Sequence, residues 1–233
     1  METRRLLLFD IDGTVLLCRG RGIRAMHRTI ERLFGTPAIE NRVLPMGKTD
    51  PILFEEVGAS HGVSPEQLWA QPEMLYATYL EVLSESLREP GACEPKPGAE
   101  MLLAALAGRP DVVLGLVTGN LERAARLKLA AVGLDRYFVD GAFGSDGRRR
   151  SDLVGLALER FAARERLRFE PRRVWVIGDT PDDVASGRAH GTRTLAVATG
   201  GFGREELARC GPDAVLDSLV DTVGVVDILC NAN

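Results

Sequence analysis

The stretch Arg5-Leu6-Leu7-Leu8-Phe9-Asp10-Ile11-Asp12-Gly13-Thr14 constrains this chain more than any other. It begins as a continuous apolar run, Leu6 to Phe9, too short for the core face of a helix. Such a run, without alternation, reads as a strand buried on both faces, as in parallel sheets. The run ends at two carboxylates one residue apart, followed by Gly13-Thr14. Strand side chains alternate, but the chain turns here, so Asp10 and Asp12 can both lean toward one point at the strand's carboxyl end. Acids held together there cost free energy unless a proton or a cation lies between them. The pattern therefore predicts a divalent metal at the end of a buried strand.

The same arrangement recurs further on. Residues 111–117 predict a strand ending at Thr118-Gly119-Asn120, and residues 173–177 one ending at Gly178-Asp179-Thr180-Pro181-Asp182-Asp183. Shorter strands are expected at 137–143, 193–198 and 214–216. Helical periodicity fills the gaps at 99–107, 121–132, 153–166, 181–189, near Glu205 and at 218–229. Alternating strands and helices imply βαβ units and a parallel sheet. Ligands of such sheets sit beyond the carboxyl ends of the strands, where the polar clusters fall, so one site built from three strands is expected.

Residues 21–88 break that alternation. Ile23, Met26, Ile30, Leu33 and Phe34 repeat at helical spacing, and Thr49 or Asp50 before Pro51 starts another helix. Ser64-Pro65-Glu66-Gln67 has capping-box spacing, and Leu75, Tyr76, Tyr79, Leu80, Leu83 and Leu87 share a face. No strand is expected there. A linker with Pro90, Pro95 and Pro97 follows. The predicted class is α/β: a Rossmann-like parallel-sheet core, residues 1–17 and 95–233, with an inserted all-helical domain, residues 18–94.

With 233 residues, 45% of them hydrophobic, the chain can bury a full core. Lys+Arg 29 against Asp+Glu 33 favours neither nucleic acid nor an anionic membrane as partner. No window approaches the ~18 apolar residues of a membrane span, and the amino terminus lacks a signal-peptide pattern. Cys18, Cys93, Cys210 and Cys230 show no CxxC or Cys/His spacing, which predicts neither a zinc site nor a disulfide framework and suits a reducing cytoplasm. His27, His61 and His190 stand isolated and receive no chemistry. A monomer or homodimer is expected.

Asp10-Ile11-Asp12-Gly13-Thr14, Thr118 at a strand end and Gly178-Asp179-Thr180-Pro181-Asp182-Asp183 occur in the order of three motifs of the haloacid dehalogenase-like hydrolases, which the chain resembles. The helical insertion is similar to the cap of the phosphoglycolate phosphatase and β-phosphoglucomutase branch. One motif departs: the family usually offers Lys before a helix, and this chain has Arg148-Arg149-Arg150-Ser151. Arg150 is the best match and Arg149 the second. An Arg keeps its charge and can fork onto phosphate oxygens.

The resemblance implies a Mg²⁺-dependent phosphatase acting on a small phosphorylated metabolite. Asp10 would be the nucleophile, forming an aspartyl-phosphate, and Asp12 the acid and base. Thr118, Gly119, Asn120 and Arg150 would bind phosphate; Asn120 also suits a helix cap. Asp10, Asp12 (through its backbone carbonyl), Asp179 and Asp183 would hold or serve the metal. Lys48 and Arg24 are the candidate substrate residues of the insertion. A phosphosugar mutase is the alternative outcome; a phosphonatase, which would use Lys48 as a Schiff base, and a non-catalytic binding protein stand behind it. Asp12 argues against dehalogenases and phosphonatases, which generally lack an acid there.

Overall fold

The computed structural model describes residues 4–40 and 43–231. The expected domain limits at Met1 and Asn233, and the Asn41-Arg42 start of the irregular stretch before Pro51, lie outside the described residues. The chain opens with β1 (Arg5–Phe9) and β2 (Leu16–Leu17), then enters α1 (Arg21–Phe34), α2 (Asp50–Ser60), α3 (Pro65–Leu68) and α4 (Pro72–Leu87). It returns through β3 (Glu94–Pro95) and α5 (Ala99–Ala107). Alternation follows: β4 (Val112–Thr118), α6 (Glu122–Ala131), β5 (Gly141–Phe143), α7 (Arg150–Glu165), β6 (Val174–Gly178), α8 (Pro181–Ala189) and β7 (Arg193–Val197). The last elements are α9 (Arg204–Arg209), β8 (Ala214–Leu216) and α10 (Thr222–Cys230).

Six strands form a parallel sheet in the order β5-β4-β1-β6-β7-β8. β1 is central because every residue from Leu6 to Phe9 is apolar. Leu7 and Phe9 enter one core layer with α5 and α10, while Leu6 and Leu8 enter the other with α7. Phe9 pairs with both Leu116 and Ile177, which sets the ends of β1, β4 and β6 side by side. Gly115 in β4 is required by packing: a Cβ there would lie 2.4 Å from the Phe161 ring.

The insertion has its own core of Ile23, Met26, Ile30, Phe54, Val57, Tyr79 and Leu83, with Phe54 and Tyr79 edge to face at 5.2 Å. Leu121 and Ala124, beyond β4, pack into that core and anchor it to the sheet domain. At its base β2 and β3 pair antiparallel, Leu16 with Pro95 and Leu17 with Glu94. One step along that register, Cys18 and Cys93 are joined as a disulfide. This corrects the expectation of unpaired cysteines. Spacing could not reveal the pair, since its members lie 75 residues apart and meet only because both linkers run together.

Three element limits differ from expectation by three residues or more. The helix expected at 218–229 begins at Thr222, after its N-cap Asp221. The strand expected at 137–143 is confined to Gly141–Phe143, because Asp135–Tyr137 coils into a 3₁₀ turn. The helix expected at 153–166 begins at Arg150, which puts that side chain in its first turn rather than before it. Among the described residues, no helix is long and apolar enough to cross a membrane.

Candidate active site

A cavity of about 360 Å³ lies at the carboxyl ends of β1, β4 and β6, under the insertion. Asp10 follows β1 directly, its N–H still donating to Ile177 O at 2.8 Å. The chain then turns, with Val15 N–H donating to Ile11 O at 3.0 Å, so Asp10 and Asp12 both line the cavity. Thr118, Asn120, Asp179 and Arg150 line it from the sheet side.

Asp10, Asp179 and Asp183 are buried, each offering an oxygen within 4.8 Å of the others'. Arg150 Nη2 reaches Asp10 Oδ1 at 2.6 Å and Asp183 Oδ1 at 2.5 Å. Arg149 instead occupies the N-cap position of α7 with no side-chain cap bond and is exposed, so of the two candidates only Arg150 lines the cavity. Thr14 Oγ1 donates to Asp179 Oδ1 at 2.9 Å. Asp183 Oδ2 accepts the Thr180 N–H at 3.0 Å and the Thr180 hydroxyl at 2.7 Å, a capping box at the start of α8. The helix start thus fixes Asp183, which fixes Arg150. Gly13, at φ 91°, and Gly200 let the backbone close on Asp179, since a Cβ would lie 2.4 Å or 1.6 Å from its Oδ2.

This crowding shows in the acids. Burial pushes the Asp10 carboxyl up, and the charges of Asp183 and Asp12 add to the rise against the pull of Arg150. Burial raises Asp179 as well, followed by the charges of Asp10 and Asp183. One guanidinium does not offset three buried carboxylates. All the donors are hard oxygens, the set that suits Mg²⁺, so these residues fit the cation the motif implies. Asp10 and Asp179 are engaged inside the protein through Oδ1, whereas Asp183 is engaged through both oxygens.

The expected helix cap at Asn120 is not formed; the N-cap of α6 is Leu121. Asn120 Nδ2 donates instead to Asp12 Oδ2 at 2.8 Å and Thr118 Oγ1 at 2.8 Å. Gly119 brings the insertion close: its carbonyl accepts the Asp50 N–H at 2.7 Å, and a Cβ would lie 2.1 Å from Lys48 O. Lys48 lines the cavity, with its ammonium on Glu56 Oε2 at 2.7 Å. Arg24 is exposed and does not line it. The histidines are not isolated: His27 Nδ1 meets His61 Nε2 at 2.9 Å, and His190 Nε2 meets Ser151 O at 2.8 Å, both away from the cavity.

The sequence pattern assigns no site role of their own to Lys128, Asp50 and Thr14. Lys128, 5% exposed, donates to Asp12 Oδ2 at 2.7 Å and Asn120 Oδ1 at 2.6 Å. A signal for it existed: Ala124, Ala125, Lys128 and Leu129 form the buried stripe of α6, so a lysine sits where a core residue belongs. Asp50, read only as a helix start, accepts the Leu121 N–H at 2.8 Å. Burial pushes its carboxyl up to about 6, even with Lys128 nearby.

A family model described as haloacid dehalogenase-like hydrolase matches residues 5–191. The chain is 30% identical over 226 residues to a phosphoglycolate phosphatase of Rhodospirillum rubrum, covering 94% of this chain and 91% of that one. It is also 30% identical over 241 residues to an N-acetylmuramic acid 6-phosphate phosphatase of Pseudomonas aeruginosa, covering 99% and 100%. Among solved structures, CbbY of Rhodobacter sphaeroides in complex with phosphate is similar in fold, with a TM-score of 0.74 at 21% identity over 94% of this chain and 96% of that one.

Proposed function

This chain belongs to the haloacid dehalogenase-like hydrolases and is a phosphatase among them, and from that premise we propose that it hydrolyses a small phosphorylated metabolite through an aspartyl-phosphate on Asp10. The observation that carries the reading is the meeting of Asp10, Asp12, Thr118, Arg150 and Asp179 on one cavity. Asp10 attacks phosphorus as the bond to the leaving oxygen breaks, and Asp12 gives that oxygen its proton. Asp12 then takes a proton from the water that attacks the aspartyl-phosphate, releasing inorganic phosphate and restoring Asp10. Thr118, the backbone at Gly119, Asn120 and Arg150 hold phosphoryl oxygens. Asp10, Asp179 and the Asp12 carbonyl, with Asp183 behind them, would hold Mg²⁺, whose charge screens the phosphate from the nucleophile.

Residues 18–94 are taken as a cap over this site, joined to the core by β2, β3 and the Cys18–Cys93 pair. The relatives' names make phosphoglycolate and sugar phosphates the first substrates to try. A phosphate-release screen over phosphorylated metabolites with Mg²⁺, run beside Asp10→Asn, tests the reading. The expected result is release by the parent and a loss of about 10³-fold or more in the variant. Equal turnover by the two proteins would remove Asp10 as nucleophile. A sugar phosphate isomer in place of free phosphate would favour a mutase.

A further inference from the structure

We propose that Lys128 is a positioning residue for Asp12, fixing the carboxyl that delivers the proton to the leaving group. The inference rests on the phosphatase reading and extends it to a residue outside its motifs. Asp12 Oδ2 accepts two hydrogen bonds, from Lys128 Nζ at 2.7 Å and Asn120 Nδ2 at 2.8 Å. Lys128 Nζ also donates to Asn120 Oδ1 at 2.6 Å, which closes a three-membered ring of side chains. Asn120 is tied in turn to Thr118 Oγ1 at 2.8 Å. The ring therefore joins the proton-carrying acid to the strand end expected to bind phosphate.

The two partners of the ion pair are not equivalent. The Asp12 side chain is 41% exposed and faces the cavity, while that of Lys128 is 6% exposed. Anchoring from the buried side fixes Oδ2 and leaves Oδ1 as the oxygen to meet substrate. A general acid works only within hydrogen-bond reach of the atom it protonates. A lone carboxylate on a turning loop has free rotation about two bonds, and the ring removes that freedom.

A different role for Lys128 would be to neutralise Asp50, whose charge it does favour. Its hydrogen bonds go elsewhere: Asp50 is met by the Leu121 N–H, and Lys128 by Asp12 and Asn120. The insertion is shaped around the ammonium. A Cβ on Gly22 of α1 would lie 3.3 Å from Lys128 Nζ, so a bare glycine covers it there.

The test uses leaving groups. In the parent, an alkyl phosphate needs a proton on its departing oxygen, whereas p-nitrophenyl phosphate releases a stabilised anion that needs none. kcat/KM is compared because it reports the phosphoryl-transfer step without the later hydrolysis of the intermediate. Lys128→Met is expected to lower kcat/KM about 100-fold on glycerol 3-phosphate and on phosphoglycolate, and less than about threefold on p-nitrophenyl phosphate. Equal losses on alkyl and aryl esters, or no loss on either, would overturn the proposal. A loss on phosphoglycolate with glycerol 3-phosphate spared would also overturn it, marking Lys128 as a carboxylate-binding residue. Lys128→Gln, which keeps length and a donor, is read by the same ratio and decides the matter if the Met variant does not fold. An alkyl ester that the parent hydrolyses in the phosphate-release screen replaces either of these where needed, and parent protein inactive across that whole screen would instead fail the phosphatase reading.

Discussion

On the sheet side of the cavity, Asp10, Asp179 and Asp183 crowd within 4.8 Å around one guanidinium. On the insertion side, Asp50 faces a backbone N–H and the field of Lys128, and Lys48 already holds Glu56. The first region carries more buried negative charge than its own cation can offset; in the second, Lys48 is paired locally and Asp50 is a single buried acid. Surplus negative charge aimed at one point is what a site needs if it is to bind a cation without rearranging, and the cation then favours an anionic phosphoryl group. Local pairing suits a part that docks on the site and contributes contacts. The two regions should therefore respond differently to loss of one charge.

The largest response is expected at Arg150. Replacing it with Met leaves three buried acids without a cation, and breaking a buried ion pair by removing one partner costs about 3–5 kcal/mol. Denaturant unfolding without metal should show that loss, and excess Mg²⁺ should return part of it by binding the folded state. A variant as stable as the parent without Mg²⁺ would mean that the acids do not depend on Arg150.

Next comes the joint between the two regions. The Cys18–Cys93 bond closes a loop of 75 residues that contains nearly the whole insertion. In the chain-entropy account such a closure stabilises by about 4 kcal/mol. Cys93→Ser should lose that amount, and parent protein treated with dithiothreitol should fall to the same midpoint. Coincident unfolding curves for oxidised parent and variant would show that the bond contributes nothing.

Much of the sheet side was legible because its signals are local. Leu6 to Phe9 announces a buried strand, Asp10 and Asp12 end it, and the 118–120 and 178–183 clusters repeat the logic at β4 and β6. The choice between Arg149 and Arg150 needed the helix phase, which a run of three arginines conceals. Lys128, Asp50 and the cysteine pair stayed hidden for another reason. Each acquires its role from a residue more than 70 positions away: Asp12, Leu121 and, for Cys18, Cys93. Periodicity within a segment holds no information on such meetings.

Asp50 gives a smaller, pH-dependent effect. Burial pushes its folded carboxyl up to about 6, against 3.8 for the ordinary group. Between those values the folded state binds more protons than the unfolded one, so stability increases as pH falls from about 6 toward 4 and decreases on the way back up. The span corresponds to on the order of 3 kcal/mol. Asp50→Asn should remove that part of the slope and be more stable than the parent at neutral pH. Parallel stability curves for the two proteins across this range would show that Asp50 is not held at a cost.

The least effect is expected at Lys48. Its ion pair with Glu56 joins side chains 35% and 38% exposed, where water screens the attraction and a pair is worth no more than about 1 kcal/mol. Lys48→Met should therefore leave the unfolding midpoint nearly unchanged. Lys48 still lines the cavity, where an anionic substrate would feel its charge. Contact with substrate in ground state and transition state alike would raise KM a few-fold at constant kcat. Arg24→Met, on an exposed position outside the cavity lining, should change neither quantity. A large fall in kcat at Lys48 would place the insertion inside the chemistry, and the two sides of the cavity would then share one electrostatic task.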